Sequence, residues 1–272
     1  MSRPDQLQPS GQTSGAEQPL LRVTGLAKSY DGFSACRNVS FDLWPGEILA
    51  VVGESGSGKT TLLKCISAQL ANDAGRIEYL MRDGVLRDVQ ELSEAERRFL
   101  MRTDWGFVHQ NPREGLRMSV SAGANIAERM IAVGARNFGR IRATATDWMD
   151  RVELDPQRVD HQPRTFSGGM QQRLQIARNL VTHPRLMFMD EPTGGLDVSV
   201  QARLLDLLRG LVAGMQLSVV LVTHDLAVAR LLSHRIMVMQ GGEVVETGLT
   251  DQVLDDPQHP YSQMLVSSIL PA

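Results

Sequence analysis

The feature that most constrains this chain is a glycine-rich loop at residues 53–60, GESGSGKT. An apolar run at residues 48–52 precedes the loop and predicts a buried parallel strand, and the apolar spacing after it predicts a helix. The pattern G-x-x-x-x-G-K-[ST] between a strand and a helix is typical of phosphate binding, because glycines let backbone N–H groups surround phosphate oxygens. An ordinary Gly/Ser turn would need neither the lysine and threonine nor both flanking elements. The sequence therefore predicts a nucleotide-binding α/β domain.

The residue types in this loop suggest separate roles. Lys59 is expected to reach the β- and γ-phosphates, and the hydroxyl of Thr60 is expected to be a ligand for Mg²⁺. The partial positive charge of the helix N-terminus adds to the attraction for phosphate. The residues expected to contact the nucleotide here are Gly53, Ser55, Gly56, Gly58, Lys59, Thr60 and Thr61.

Two adjacent carboxylates, Asp190 and Glu191, follow a second apolar run at residues 186–189. Such a strand buries its body and presents the acids at its carboxyl end, where α/β sheets bind ligands. We expect Asp190 to hold Mg²⁺, directly or through water, and Glu191 to polarise the attacking water as a general base. The alternative is an exposed acidic turn before Pro192, which loses weight once the phosphate loop is accepted.

A serine and two glycines, at residues 167–169, lie upstream of this acidic strand and open a predicted amphipathic helix. They predict a second anion-accepting helix start, with its N–H donors aimed outward. A plain N-cap after a loop is the alternative, and in isolation it would be preferred. The position before the acidic strand favours the functional interpretation.

With these motifs in this order, the chain resembles the ATP-binding-cassette (ABC) family from about Leu20 to the C-terminus. The resemblance implies an α/β P-loop NTPase of the ABC type. Its RecA-like parallel-sheet core would be accompanied by an N-terminal antiparallel β subdomain and an inserted helical subdomain. We expect the ABC domain at residues 20–272 and the helical subdomain at about 92–180. Residues 1–19 are rich in Pro, Gln, Ser and Gly and predict a disordered tail.

The resemblance also implies that the ATPase works as a homodimer. Ser167, Gly168 and Gly169 would contact the γ-phosphate of ATP held by the other subunit. The sequence departs from the commonest form of this signature at Phe166 and Met170, where Leu and Gln are usual. Neither departure removes the hydroxyl or the glycine backbone that would contact the nucleotide.

Residues outside these motifs also match the family. Tyr30 would stack on adenine, and His224 would steady the γ-phosphate. Gln110 would act at the metal, sense Mg²⁺ and link catalysis to the partner. Residues 194–197 match the loop that runs along the dimer interface. The resemblance thus implies ATP and Mg²⁺ as cofactors.

Two branches of the family are similar to this chain. Residues 39–47, 108–112, 121–126 and 165–210 resemble the ATP-binding subunit of the bacterial carbon–phosphorus lyase complex, which breaks down phosphonates. The C-terminal segment at residues 256–263 instead resembles the corresponding segment of peptide and nickel importer ATPases, whose partners are membrane permease subunits. The loop after Gln110 contains Arg113, Glu114 and Arg117, unlike the less charged segment expected in a peptide importer. We expect the lyase core to be the partner, with the importer role as the alternative.

Composition and sequence pattern argue against other classes. The net charge of −3 and the pI near 6.1 disfavour nucleic-acid binding. No apolar run approaches the roughly 20 residues that span a bilayer, and the first residues lack a signal-peptide pattern, so we expect a cytoplasmic protein. Cys36 and Cys65 fit no disulfide framework or zinc spacing. A non-hydrolysing clamp would predict an altered Glu191 or His224, but both residues are present. A DNA-maintenance ATPase would predict a long coiled-coil insert between the two halves of the domain, and the sequence has no such insert.

Overall fold

The computed structural model describes residues 18–268, so residues 1–17 of the predicted tail lie outside the described range. The strands are β1 (Leu21–Tyr30), β2 (Phe33–Leu43), β3 (Ile48–Val52), β4 (Ala74–Leu80), β5 (Leu86–Asp88), β6 (Trp105–Val108), β7 (Leu186–Asp190), β8 (Ser218–Val222), β9 (Arg235–Gln240) and β10 (Glu243–Leu249). The helices are α1 (Lys59–Ile66), α2 (Glu94–Thr103), α3 (Pro112–Gly115), α4 (Ala122–Ala132), α5 (Phe138–Arg151), α6 (Gly168–Leu180), α7 (Val198–Met215), α8 (Leu226–Leu232), α9 (Thr250–Asp255) and α10 (Pro260–Ser267). No helix within residues 18–268 combines the length and apolar character needed to cross a membrane.

The larger sheet has the strand order β10-β9-β3-β8-β7-β6. Its neighbours from β9 to β6 pair in parallel, and β10 joins β9 as an antiparallel hairpin. Strands β3, β7 and β8 are buried at every position, as expected for short apolar strands covered on both faces. The carboxyl ends of β3 and β7 lead into the phosphate loop and the paired acids, so the sheet brings these two motifs to one edge.

The smaller sheet is antiparallel and has the order β2-β1-β4-β5. Its apolar side chains share one core cluster with helix α1 and with side chains of β3, β7 and β8. Both cysteines, Cys36 and Cys65, are buried in this cluster as free thiols. This sheet therefore packs against the helix that follows the phosphate loop.

The helical layer contains α4, α5 and two 3₁₀ turns, Pro156–Asp160 and Pro163–Thr165. One face of α5 is buried through Ile141, Ala145 and Trp148, which lie at helical spacing. The range predicted for the helical subdomain, 92–180, also contains strand β6, which pairs with β7 in the larger sheet. Strand β6 was not predicted because it has only four residues, too few to show the alternation of apolar and polar residues that identifies a strand.

Helix α6 supplies hydrogen bonds along the outer edge of β6. Asn179 Oδ1 accepts from the N–H of Phe107 at 3.1 Å, and Asn179 Nδ2 donates to the carbonyl of Phe107 at 2.9 Å. Gln175 makes the same double contact with His109, at 2.8 Å and 3.1 Å. These amides complete the hydrogen bonding of an edge strand, which would otherwise expose unpaired main-chain groups.

Candidate active site

Glycine is required at two positions of the phosphate loop. Gly53 has a φ of 146°, and a Cβ there would lie 2.2 Å from the carbonyl oxygen of Met239. Gly58, the residue before helix α1, has a φ of 102°, and its Cβ would lie 2.0 Å from the carbonyl oxygen of Ala35. The loop therefore packs closely against strands of both sheets, and only glycine fits these contacts.

The lysine of the loop is almost completely buried beneath it. Lys59 Nζ donates to the carbonyl oxygens of Gly53 and Glu54, each at 2.7 Å. Burial lowers the pKa of Lys59, while the carboxylates of Glu191, Asp190 and Glu54 act in the opposite direction. The ammonium group is thus held at the loop by main-chain dipoles and by the nearby acids.

Two predicted metal ligands lie together at this edge of the sheet. The hydroxyl of Thr60, in the first turn of α1, donates to Asp190 Oδ1 at 3.1 Å. Burial raises the pKa of Asp190, and the hydrogen bond from Thr60 acts to lower it. A hydroxyl and a carboxylate oxygen are the hard ligands that Mg²⁺ prefers, so this pair fits the metal.

The second acid, Glu191, lies between two predicted catalytic side chains. Gln110 Nε2 donates to Glu191 Oε2 at 2.8 Å, and His224 Nδ1 lies 2.9 Å from Glu191 Oε1. The backbone of Glu191 has a φ of 42°, in the left-handed region. Its N–H donates to the carbonyl of Val222 and its carbonyl accepts from the N–H of Gly194, which holds this conformation. The three side chains form a connected polar group at the end of β7.

A single cavity of about 590 Å³ collects most of the predicted site. The residues that line this cavity and were predicted from the sequence to belong to the site are Tyr30, Ser55, Gly56, Gly58, Lys59, Thr60, Thr61, Gln110, Glu191 and His224. Gly53 and Asp190 do not line the cavity, but they contact Lys59 and Thr60, which do. The cavity thus combines an exposed aromatic, Tyr30, with phosphate-loop donors and the carboxylate of Glu191.

Two lining residues, Phe33 and Ala35, were not predicted from the sequence. Phe33 opens strand β2 immediately after the turn that follows Tyr30, and 59 % of its surface is exposed. An exposed aromatic paired with Tyr30 across a hairpin is the signal that could have identified Phe33. Ala35 gave no such signal, because only its close approach to Gly58 brings it to the cavity.

The predicted signature, residues 167–169, does not line this cavity. Ser167 is the N-cap of helix α6, and its hydroxyl accepts from the N–H of Met170 at 3.3 Å. Ser167 and Gly168 are exposed, whereas a Cβ on Gly169 would lie 2.4 Å from Val200 Cγ1. The segment thus presents its start to solvent and packs its last glycine against helix α7.

The family model for ABC transporters matches residues 36–194, more than half of the chain. The chain belongs to the ABC family. The model spans the phosphate loop, the signature and the paired acids, and members of the family hydrolyse ATP, so the predicted ATPase activity is confirmed. The predicted fold is confirmed as well, because this ABC chain superposes on the cassette MJ0796 with a TM-score of 0.75 at 29 % identity, over 85 % of this chain and 98 % of that one. MJ0796 was solved as a dimer bound to ADP and Pi.

Two curated relatives of this ABC ATPase cover nearly all of it. A phosphonates utilization ATP-binding protein of Escherichia coli K12, PhnK, is 64 % identical over 253 residues, which is 93 % of this chain and 98 % of that protein. A peptide import ATP-binding protein of Brucella ovis is 37 % identical over 93 % of this chain and 79 % of that protein. Both branches of the family that the sequence resembles are therefore found among its relatives, but the sequence identity to the phosphonates utilization protein is much higher.

Proposed function

We propose that this ABC ATPase acts in phosphonate utilization, where a homodimer in the cytoplasm binds and hydrolyses MgATP and changes the conformation of a carbon–phosphorus lyase core. The observation that carries the proposal is the 64 % identity to the phosphonates utilization protein over almost the full length of both chains. The peptide import relative reaches only 37 % over a smaller share of its own length. The role in an importer therefore remains the alternative.

In the proposed reaction, Lys59 binds the β- and γ-phosphates, and Tyr30, which lines the same cavity, packs on the adenine ring. Thr60, Asp190 and Gln110 would hold Mg²⁺, which would neutralise charge on the phosphates when bound. The contact between Thr60 and Asp190 supports this assignment, because the two oxygens already lie 3.1 Å apart. The loop amides and Lys59 then fix the γ-phosphate for attack by water.

Glu191 is the proposed general base, and its contacts suggest how it is controlled. Both carboxylate oxygens have partners, Gln110 at 2.8 Å and His224 at 2.9 Å. The attacking water must reach one of these oxygens; each can accept a second hydrogen bond, and the loss of a partner would leave more room for the water. The side chain of His224 is 64 % exposed, so it is free to turn toward a γ-phosphate and release Oε1. Base activation would then follow nucleotide binding.

The second subunit is proposed to complete the site. Ser167 and Gly168 are exposed and lie outside the cavity of their own chain. Their helix start, with its free N–H donors, suits the γ-phosphate of ATP bound by another copy. The dimeric MJ0796 cassette, which has the same fold, supports this arrangement.

The partner is proposed to dock on the loop after Gln110. Helix α3 lies in this loop, and a Cβ on Gly115 would lie 2.1 Å from Gln175 Oε1, so the loop packs tightly on α6. Arg113 and Arg117 are exposed, and Arg117 pairs with Glu128 at 3.4 Å. Such a charged surface favours a protein partner of complementary charge.

The test compares strains in which the chromosomal copy is deleted or replaced. The deletion strain, and a strain that expresses Glu191→Gln, should fail to grow with a phosphonate as sole phosphorus source but grow normally on phosphate. Tagged protein should purify with soluble lyase subunits, in amounts that depend on nucleotide state, because closure can reshape a partner only if the partner binds open and closed dimers differently. Growth of the deletion strain on phosphonate, with purification of membrane permease subunits, would establish the importer role instead.

A further inference from the structure

The C-terminal segment reaches back to the phosphate loop through a single hydroxyl. Tyr261, in the first turn of helix α10, is 5 % exposed, and its Oη accepts from the backbone N–H of Glu54 at 2.9 Å. The two residues are 207 positions apart in the chain. Glu54 is the second residue of the loop, and it does not line the cavity. The N–H of Glu54 is therefore used to anchor the loop from outside.

The peptide unit that contains this N–H is held on both sides. Its carbonyl belongs to Gly53 and accepts from Lys59 Nζ at 2.7 Å, while its N–H donates to Tyr261 at 2.9 Å. The orientation of this peptide decides where the Gly53 carbonyl, and with it the ammonium of Lys59, is placed. A contact that fixes the peptide thus helps to set the position of the phosphate-binding lysine.

Tyr261 is itself positioned by strand β10. Glu246 Oε1 accepts from the N–H of Gln258 at 2.9 Å, and Glu246 Oε2 accepts from the N–H of His259 at 3.0 Å. His259 Nδ1 then accepts from the N–H of Tyr261 at 3.2 Å, and caps α10. Burial acts to raise the pKa of Glu246, but the hydrogen bonds to its carboxylate prevail and lower it. The tyrosine ring packs in a core cluster with Val52 of β3 and its neighbours.

We propose that Tyr261 is a positioning residue for ATP binding, which orders the phosphate loop before nucleotide arrives by clamping the Gly53–Glu54 peptide opposite Lys59. A loop that is already ordered loses less conformational freedom when it closes on phosphate, and so binds more tightly. The clamp ties the affinity of the site to the C-terminal segment. The proposal rests on the assignment of the loop as the nucleotide site.

The experiment uses the full chain and the substitution Tyr261→Phe, which removes only the hydroxyl and leaves the ring in its core. We expect the KM and the Kd for MgATP to rise by about fivefold, the order expected when a partly buried N–H loses its partner, with kcat changed less than twofold. Hydrogen exchange at Glu54 should accelerate in the nucleotide-free protein, because its amide is then unprotected. Glu246→Gln should act in the same direction, and the double variant should lose less than the sum.

The matched control is Tyr79→Phe, since the hydroxyl of the buried Tyr79 donates to Asp104 at 3.1 Å, outside the site. It should lower the melting temperature without changing ATP affinity or exchange in the loop. Wild-type ATP affinity and loop exchange in Tyr261→Phe would overturn the proposal. Lys59→Ala is measured in parallel: if it also keeps normal ATP binding, the assignment of the site fails, whereas loss only in Lys59→Ala refutes the clamp alone.

Discussion

Gln175 on helix α6 exchanges two hydrogen bonds with the main chain of His109, the residue before Gln110. The helix that starts at the signature serine is thus joined to the segment that ends at the glutamine in contact with Glu191. Rotation of α6 must move His109 with it or break both hydrogen bonds. This connection offers a direct route by which contact at Ser167 can alter the neighbours of the proposed base.

Gln175→Leu should test this connection, because it keeps most of the side-chain volume and removes both hydrogen bonds. The N–H of His109 loses its partner, and its carbonyl keeps only the donor Gln172 Nε2 at 3.3 Å, so the free energy of unfolding should fall by about 1–2 kcal/mol. ATP turnover should fall as well, since Gln110 loses its support. Urea denaturation and phosphate release would measure the two effects. Gln90→Leu, at an exposed position, is the control, and equal unfolding midpoints in the two variants would refute the role of Gln175.

Lys59→Ala should abolish high-affinity binding of MgATP. The substitution removes a positive charge from the β- and γ-phosphates. It also leaves the Gly53 carbonyl without the Lys59 donor, while the Glu54 carbonyl keeps the N–H of Ser57 at 3.2 Å. Titration calorimetry measures the loss. Lys64→Ala, on the exposed face of the same helix, should bind ATP almost as the wild type does. Equal losses in both variants would mean that general electrostatics, not a specific contact, governs binding.

Glu191→Gln should bind MgATP normally and lose about 10²–10⁴-fold in turnover, the usual contribution of a positioned general base. The amide keeps the size and the neighbours of the carboxylate but accepts a proton poorly. Single-turnover phosphate release separates this effect from product release. Turnover like that of the wild type would remove Glu191 from the mechanism.

Ser167→Asp should block dimer formation with little effect on folding. Aspartate is as good an N-cap as serine, so helix α6 keeps its start, but its charge repels the γ-phosphate of the opposing ATP. Light scattering of the Glu191→Gln protein with MgATP should show a dimer, and the double variant should stay monomeric. Ser121→Asp makes the same change at the N-cap of α4 and should still dimerise. A dimer in the Ser167→Asp background would contradict the proposed interface.

Charge reversal at Arg113 and Arg117 should weaken binding to the partner and leave the ATPase of the isolated protein largely intact. Both side chains are exposed and neither lines the nucleotide cavity. Binding to the immobilised, purified lyase core would be measured by surface plasmon resonance at two salt concentrations, because attraction between complementary charges weakens as ionic strength rises. Arg140→Glu, exposed on α5, serves as control. Unchanged binding after reversal would place the docking surface elsewhere.

Local motifs sufficed to predict most of the residues that line the cavity, because each motif lies within a few residues of a strand end. The loop at residues 53–60 and the acids after β7 needed only their own spacing to be recognised. Strand β6 lies within the range predicted to be helical, because a four-residue strand is too short to show an alternating apolar pattern. The contact between Tyr261 and Glu54 could not be predicted, since it joins residues 207 positions apart and leaves no repeating pattern.

The backbone of Glu191 has a further consequence for how this enzyme can be changed. Its φ of 42° places a residue with a Cβ in a region that costs roughly 1–2 kcal/mol. Glycine at that position would relax the backbone and remove the carboxylate together. Selection for stability alone would therefore favour glycine at this position, and that variant is inactive. Selection for ATP turnover instead retains Glu191 and its left-handed backbone conformation. Evolution toward greater heat resistance in this family member has to find its gains at other positions.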